Sequence, residues 1–526
     1  MRAVAAGRRS DDEAEAGRRV LIEVLASVYP LTVYNDPNAW PRARRLDALA
    51  LDLVAGPDLP PAGVETAAGF LLVQLAAYRR SALAAYAAAL PPLERALEVL
   101  ERAFGPEHPD TLTSLNNLAA LLQDQGDLAG ARPLHERALA IRENALGPKH
   151  PDTAQSLSNL AGLLQAQGDL AGARPLFERA LTIDEKVYGL GHPLVATDFN
   201  NLARLLQAQG DLTGALQLYE RALAICEQEL GPEHPNTATS LDNLAGLLLT
   251  QGNLKGALPL FERALAIKER AFGPEHPDTV TSLNNLASLL RTEGDLKGAR
   301  PLFERTLAIF EKALGPEHPT TATSLNNLAG LLQAQGDAKG ARPLYERALA
   351  VFEKALGPEH PTTATSLNNL AGLLQVLGDL AGARPLHERA LTIREKALGP
   401  EHPSTATSLN NLADLLRAQG DFAAARPLFE RALAIVEKAL GPDHPTTAAS
   451  LNNLAGLLQA QGDLAGARPL FERALAIVEK AYGLEHPEVA RDLNNLASLL
   501  RDQGDLAAAR PLFERALAIR EKALIP

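Results

Sequence analysis

The chain has 526 residues, more than the ~250 to 300 residues at which a single hydrophobic core stops growing, so several domains or a repeat array are expected. Hydrophobic residues make up 46% of the chain and aromatic residues only 4%, so the core must consist mainly of Leu and Ala. The formal net charge is −12, and Lys and Arg are scattered among acidic residues, which argues against a nucleic-acid partner. The only cysteine, Cys226, excludes an intrachain disulfide and a thiolate zinc site.

Residues 1–62 do not repeat and predict two helices. The helical runs are "VLIEVLASVYP" and "WPRARRLDALALDLV", joined by "LTVYNDPNA". The first run contains Glu23 and follows the acidic stretch "DDEAEA", a pattern unlike a signal peptide, and it is too short to span a bilayer. We therefore expect a cytoplasmic protein with no membrane partner, in agreement with the single cysteine.

Ten copies of one 42-residue unit follow, without insertion or deletion, and we number them repeats 1 to 10. They begin at Gly105, Gly147, Gly189, Gly231, Gly273, Gly315, Gly357, Gly399, Gly441 and Gly483. Residues 63–104 form a degenerate earlier hairpin, because "PPLERALEVLERAFG" matches the second half of the unit. A period of 20 to 50 residues is typical of solenoids, in which neighbouring units complete each other's core.

Each repeat predicts two helices, which we call helix A and helix B. In repeat 1, Leu115, Leu118, Ala119 and Leu122 fall on one face of helix A at helical spacing. "QGD" follows, in which the glycine can end helix A in the left-handed conformation and the aspartate can cap helix B. The apolar stripe of helix B runs from Leu128 to Ile141, and Gly147 ends it.

The small and apolar positions of this unit, Leu115, Leu118, Ala119, Gly126, Ala131 and Ala138, resemble the tetratricopeptide repeat (TPR). The length of the unit and the stretches "LGPEHPTTATSLNNLA" and "ARPLFERALAIREKAL" resemble the variant of kinesin light chains and nephrocystin-type proteins. The resemblance covers residues 105–526. It implies an all-α fold, a right-handed superhelical solenoid of antiparallel helix hairpins, in which the polar face of helix A lines a concave groove.

The first 62 residues carry a second, shorter resemblance. Their "NDPNAWPRARRL" junction resembles the segment that joins the nucleotide-binding half of bacterial STAND (NB-ARC) proteins to TPR arrays. No G-x-x-x-x-G-K-[ST] motif occurs in the chain, so the NTPase half itself is absent from it.

The twelve histidines follow the repeat. Ten occupy the position of His108, and His135 and His387 replace an aromatic residue of helix B. The His-Pro dipeptide predicts the start of helix A. Helices pack ~8 to 10 Å apart, whereas metal ligands lie within ~2 Å of one ion, so one histidine per repeat predicts no metal site.

The "NN" pair of helix A is the main candidate for binding, because it points away from the hairpin. An amide can donate to and accept from the backbone of an extended peptide, and the resemblance to kinesin light chains carries the same implication. Alternatively, the second asparagine bonds to the next hairpin and sets the stacking; we leave both roles open for it and favour groove exposure for the first. The candidates at the two positions are Asn116, Asn117, Asn159, Asn200, Asn201, Asn243, Asn284, Asn285, Asn326, Asn327, Asn368, Asn369, Asn410, Asn411, Asn452, Asn453, Asn494 and Asn495.

Four arginines vary between repeats on the same face and favour a carboxylate-bearing, acidic partner. They are Arg204, Arg291, Arg417 and Arg501. Solvated arginines with no such role are the alternative interpretation.

These patterns favour a protein- or peptide-binding scaffold over an enzyme, because no phosphate loop, nucleophile arrangement or paired carboxylate cleft is present. We expect no cofactor. The second hypothesis is the ligand-sensing arm of a STAND-type system whose NTPase is separate. A third is a decaying fragment with no current partner. The array ends at "REKALIP" without a polar capping helix, so self-association through the last hairpin is a further expectation.

Overall fold

The computed structural model describes residues 11–33, 39–56 and 58–524, and the regular structure in these ranges is entirely helical. Part of the junction that resembles STAND proteins, residues 34–38, lies outside them. Four helices precede the first repeat: α1 (Asp11–Val28), α2 (Trp40–Val54), α3 (Glu65–Ser81) and α4 (Tyr86–Phe104). The predicted all-α solenoid of helix hairpins is confirmed. The right-handed sense of its superhelix stays a prediction.

Each repeat contributes one helix A and one helix B, as predicted. The A helices are α5 (Pro109–Asp124), α7 (Pro151–Ala166), α9 (Pro193–Ala208), α11 (Pro235–Thr250), α13 (Pro277–Glu293), α15 (Pro319–Ala334), α17 (Pro361–Val376), α19 (Pro403–Ala418), α21 (Pro445–Ala460) and α23 (Pro487–Asp502). The B helices are α6 (Leu128–Ala145), α8 (Leu170–Tyr188), α10 (Leu212–Glu229), α12 (Leu254–Phe272), α14 (Leu296–Ala313), α16 (Ala338–Ala355), α18 (Leu380–Ala397), α20 (Phe422–Leu440), α22 (Leu464–Tyr482) and α24 (Leu506–Leu524).

The turn between the two helices follows the predicted chemistry. Gly126 has φ +77°, a left-handed conformation that disfavours any side chain, and it follows the end of helix A. The Asp127 carboxylate then accepts a hydrogen bond of 2.8 Å from the backbone N–H of Gly130. This bond satisfies one of the free donors at the start of helix B.

Helix A begins with a cap that the sequence analysis did not anticipate. His108 Nδ1 accepts a hydrogen bond of 3.2 Å from the backbone N–H of Asp110, so the imidazole acts as the N-cap. The Thr111 hydroxyl donates to the Gly105 carbonyl at 3.0 Å and closes the loop before the helix. The repeated histidine therefore has a local structural role in addition to marking the helix start.

Helix A is buried on more sides than its predicted stripe. Leu115 and Ala119 are fully buried as expected, but so are Ser114 and Leu121, which the apolar pattern did not include. The reason is that α5 contacts its own B helix, α6, and also α4 of the preceding hairpin, and the A helices α9, α11, α19, α21 and α23 make the same two contacts. A single amphipathic face predicts only one of these two contacts.

Contacts divide the chain into two compact bodies. The first comprises Met1–Leu163, Phe310–Ala322 and Val351–Pro358, and its core includes Ile22, Ala50 and Leu72 of the N-terminal helices. The second comprises Leu164–Ile309, Thr323–Ala350 and Glu359–Pro526 and holds most of the repeats. Within the described ranges, no helix has the length and apolar character needed to cross a membrane.

Candidate binding surface on the helix-A face

In four repeats the first asparagine of the pair donates a hydrogen bond to the next repeat, a role that we had considered for the second asparagine. Asn368 Nδ2 donates to Ser408 Oγ at 3.0 Å, and Asn452 Nδ2 donates to Asp492 Oδ1 at 2.9 Å. Asn200 and Asn410 bond in the same way to the serine 40 residues further on, at 3.4 and 3.3 Å. Asn368 and Asn452 are 7% and 9% exposed, so the expectation of free groove exposure is wrong for these two, whereas Asn200 and Asn410 are half-buried.

The second asparagine is half-buried in every repeat. The positions are Asn117, Asn159, Asn201, Asn243, Asn285, Asn327, Asn369, Asn411, Asn453 and Asn495. Asn327 Nδ2 donates to Asn284 Oδ1 of the preceding repeat at 2.9 Å, and Asn159 accepts from Gln155 of its own helix at 3.0 Å. We refer to the ten second-position asparagines as the asparagine row. A partly exposed amide retains bonding capacity for a partner, and the binding role of the row stays a prediction.

Two histidines of helix B lie beneath this face. His387 is 1% exposed, and its Nδ1 lies 2.7 Å from Asn368 Oδ1, so Nδ1 carries the proton and donates. Burial lowers the pKa of His387 to about 4, while Asp414 has a smaller opposing effect. His135 lies 3.3 Å from Gln123 through its Nε2. At neutral pH both histidines are therefore uncharged, and each one bonds to a polar residue of helix A.

A cavity of about 370 Å³ opens on this face in repeats 8 to 10. Its lining residues are Arg417, Ala449, Asn452, Asn453, Gly456, Gln459, Phe471, Arg491 and Asn495. The guanidinium of Arg417 bonds to Asp414 at 2.6 Å, and that of Arg491 bonds to Asp492 at 3.0 Å. Sequence reasoning missed Arg491, although it occupies a position where most repeats have Thr, and this departure was the available signal.

The structure does not bring the four predicted arginines into one cavity. Arg204 lines a second cavity, of about 440 Å³, with Gln207, Thr250, His444 and Tyr482. Arg501 bonds to Ser498 at 3.0 Å and to Asp502 at 3.2 Å. Arg204 and Arg291 form no ion pair with any residue that the structure describes. Of the four, only Arg417 therefore lines the cavity of repeats 8 to 10.

Buried acidic groups lie away from this face. Asp184 of α8 and Asp198 of α9 share a hydrogen bond at a hairpin interface and are 9% and 7% exposed. Burial, and next the charge of Asp184, raise the pKa of Asp198 to about 8. In the described part of the chain, no group of three or more His, Cys, Asp or Glu side chains could hold a metal ion.

The hairpin stack and its repeating Gly-Asp turn define a helical-repeat solenoid. The family model of the tetratricopeptide repeat matches the chain ten times, in overlapping segments that extend from residues 68–144 to residues 446–522. The chain therefore belongs to the tetratricopeptide repeat family. Comparison with curated protein sequences finds no match.

Several solved structures are similar to parts of the chain. The nearly identical TPR-like repeats of a kinesin light chain from Podosopora anserina are 35% identical, with 39% of this chain and 97% of that chain covered and a TM-score of 0.34. BtubC (BKLC) from P. vanneervenii is 24% identical, with 45% and 92% covered and a TM-score of 0.35. A Rap protein complexed with competence and sporulation factor is 13% identical, with 70% and 98% covered and a TM-score of 0.47.

Proposed function

We propose that this protein is a scaffold that binds an extended peptide or protein segment along the asparagine row, with the cavity of repeats 8 to 10 as its main anchoring point. The observation that supports this proposal is the composition of that cavity. Asn453, Asn495 and Gln459 offer amides, and Arg417 and Arg491 offer guanidinium groups, around about 370 Å³ of space. Amides at repeat spacing suit a peptide backbone, whose donors and acceptors do not depend on its sequence.

The arginines favour an acidic segment, even though each already has a carboxylate neighbour. The side chains of Arg417 and Asp414 are 42% and 48% exposed, and such surface pairs contribute only about 0 to 1 kcal/mol. A guanidinium has five N–H donors, so a ligand carboxylate can bind Arg417 beside Asp414 or in its place.

The test begins with a library of random extended peptides selected on the immobilised protein. Enriched peptides are then titrated by fluorescence anisotropy against the wild type, the double variant Asn453→Ala with Asn495→Ala, and the variant Arg417→Ala. We expect enrichment of Asp and Glu and a loss of affinity of about tenfold or more, since hydrogen bonds to charged groups contribute about 1.5 to 3 kcal/mol.

The matched control is Arg468→Ala on helix B. Arg468 is also an exposed arginine in an ion pair, with Glu472 at 2.8 Å, but it does not line the cavity. If the variants that keep the wild-type melting temperature also bind as tightly as the wild type, the anchoring role of this cavity is refuted. If no peptide were enriched at all, the scaffold proposal itself would lose its support.

A further inference from the structure

The two ends of each helix hairpin form two edges, and in the second body one edge of some repeats packs on the opposite edge of other repeats. We call the end where helix A starts and helix B finishes the start edge, and the end that carries the Gly-Asp turn the turn edge. His402 and His444 lie on the start edge of repeats 8 and 9. Ala166 and Ala208 lie on the turn edge of repeats 2 and 3, at the end of helix A.

The start-edge histidines make this contact with both ring nitrogens. His402 Nδ1 accepts from the Ser404 backbone N–H at 3.0 Å, so the ring proton is on Nε2, which donates to the Ala166 carbonyl at 3.1 Å. His444 does the same with the Ala208 carbonyl, at 3.2 Å and at the same separation of 236 residues. The contact therefore recurs from one repeat to the next.

Close packing accompanies these bonds. A Cβ placed on Gly168, whose φ is +80°, would meet Pro403 Cδ at 3.0 Å. Tyr482 of the start edge packs against the cluster of Ala203, Leu206 and Leu212, and Leu212 is only 5% exposed. The two edges thus fit each other through hydrogen bonds, glycine contacts and apolar packing.

The same two edges are open elsewhere in this body. On the turn edge of repeats 8 and 9, a Cβ on Gly420 or Gly462 would meet no described atom within 4 Å. At the position of Leu212, Leu464 of repeat 9 is half-buried, and Leu506 of the last hairpin is 64% exposed. On the start edge near repeat 3, Tyr188 and Leu194 are 39% and 46% exposed, in the positions that Tyr482 and Thr446 occupy where the edge is covered.

We propose that a second copy of this chain covers these open edges, with the start edge of repeats 3 to 5 of one copy on the turn edge of repeats 8 to 10 of the other. Because the repeats are nearly identical, the open edges have the chemistry of the covered ones. His192, His234 and His276 supply the imidazoles, and the A helices that end at Ala418, Ala460 and Asp502 supply the carbonyls. The contact is heterologous, so an assembly of any length keeps one free start edge at one end and one free turn edge at the other, and assembly can continue.

The first test uses sedimentation velocity up to the highest soluble concentration, at physiological ionic strength to screen the net charge. One variant blocks the start edge with Tyr188→Arg and Leu194→Arg, and a second blocks the turn edge with Ala418→Arg and Ala460→Arg. We expect the wild type to form species larger than the monomer and each variant to remain monomeric. Mixing the two variants should give a 1:1 dimer, because each retains the edge that the other lacks.

The matched control is Leu517→Glu. Leu517 is a 57% exposed apolar residue of α24 on the outer face of the last hairpin, the surface from which the sequence predicts self-association. We expect this variant to assemble like the wild type. A wild type that stays monomeric, an assembly lost only in Leu517→Glu, or a variant mixture that stays monomeric would each overturn the edge contact.

A second measurement does not depend on the arginine variants folding well. In a Cys226→Ser background, one chain carries Leu194→Cys and the other Ala418→Cys, both at exposed positions. Mild oxidation should give a disulfide between the two different chains in preference to either homodimer. A random distribution of the three products would count against the proposed pairing of the edges.

Discussion

The buried pair Asp184 and Asp198 predicts that the interface between repeats 2 and 3 weakens as pH rises. Eight other repeats have Ser at the position of Asp198, so Asp198→Ser introduces a residue that this position already accommodates. Burial raises the pKa of Asp198 from 3.8 to about 8, so between these values the folded chain holds a proton that the unfolded chain has released. Stability from this group is therefore complete below about pH 4 and falls as pH approaches 8.

The magnitude follows from the size of this pKa difference. A shift of roughly 4 pH units at ~1.4 kcal/mol per unit sets a ceiling of about 6 kcal/mol for the loss of local stability. Relaxation of the interface and entry of water reduce this figure, so we expect a measured loss of about 1 to 4 kcal/mol between pH 5 and pH 8. In Asp198→Ser the loss should become smaller, and the part that comes from Asp184, whose pKa burial also raises, should remain.

The single cysteine provides a local assay. Cys226 is 3% exposed and packs with Val195 and Phe199 of α9, the helix that carries Asp198. The rate at which Cys226 reacts with a thiol reagent under native conditions, corrected with a cysteine peptide at each pH, reports the opening free energy of this interface.

Asp492→Ser is the matched control, with a second cysteine engineered in α24 as the local probe. Burial raises the pKa of Asp492 as well, but its carboxylate accepts from Asn452 at 2.9 Å and pairs with Arg491 at 3.0 Å, so its loss should destabilise the chain by about 1 to 3 kcal/mol at neutral pH. If the opening free energy measured at Cys226 depends on pH in the same way in the wild type and in Asp198→Ser, the predicted role of Asp198 is refuted.

Three further predictions concern the stability of single repeats. In urea unfolding, the free energy of unfolding of the wild type should fall by up to about 3 kcal/mol between pH 6.5 and pH 4, because the folded chain holds His387 neutral. His387→Phe should not show this fall. Equal acid sensitivity of the two proteins would contradict the prediction. Lys268→Val should lower the free energy of unfolding by about 3 to 5 kcal/mol, because Asp242, which Lys268 contacts at 2.9 Å, is then buried without its cation. Adding Asp242→Asn should restore most of this loss, since repeats 8 and 9 have Val and Asn at these two positions. No recovery in the double variant would exclude the ion-pair explanation. Ala299→Leu with Ala341→Leu should cost about 1 to 3 kcal/mol per site, because both alanines are fully buried, and an unchanged melting curve would show that the B helices tolerate bulk there.

The asparagine pair shows where sequence reasoning succeeds and where it fails. Helical periodicity predicts that Asn116 and Asn117 both leave the hairpin interior, and this holds for their own repeat. The same periodicity contains no information on the next repeat, whose A helix accepts a hydrogen bond from the first asparagine in four repeats and buries that asparagine in two of them. The bonds of Asn368 to Ser408 and of Asn452 to Asp492 therefore required the packed structure.

The sequence by itself determined the hairpins, their boundaries and their number, because glycine conformation, aspartate capping and helical periodicity act over a few residues and recur every 42 residues. Tertiary structure alone decided that His402 meets Ala166, 236 positions away. The partner of that edge depends on small rotations between neighbouring hairpins, which accumulate over about six repeats. No local sequence pattern encodes the total rotation. The histidine at the start of helix A is therefore only a helix cap in some repeats, and in others it is also a long-range hydrogen-bond donor.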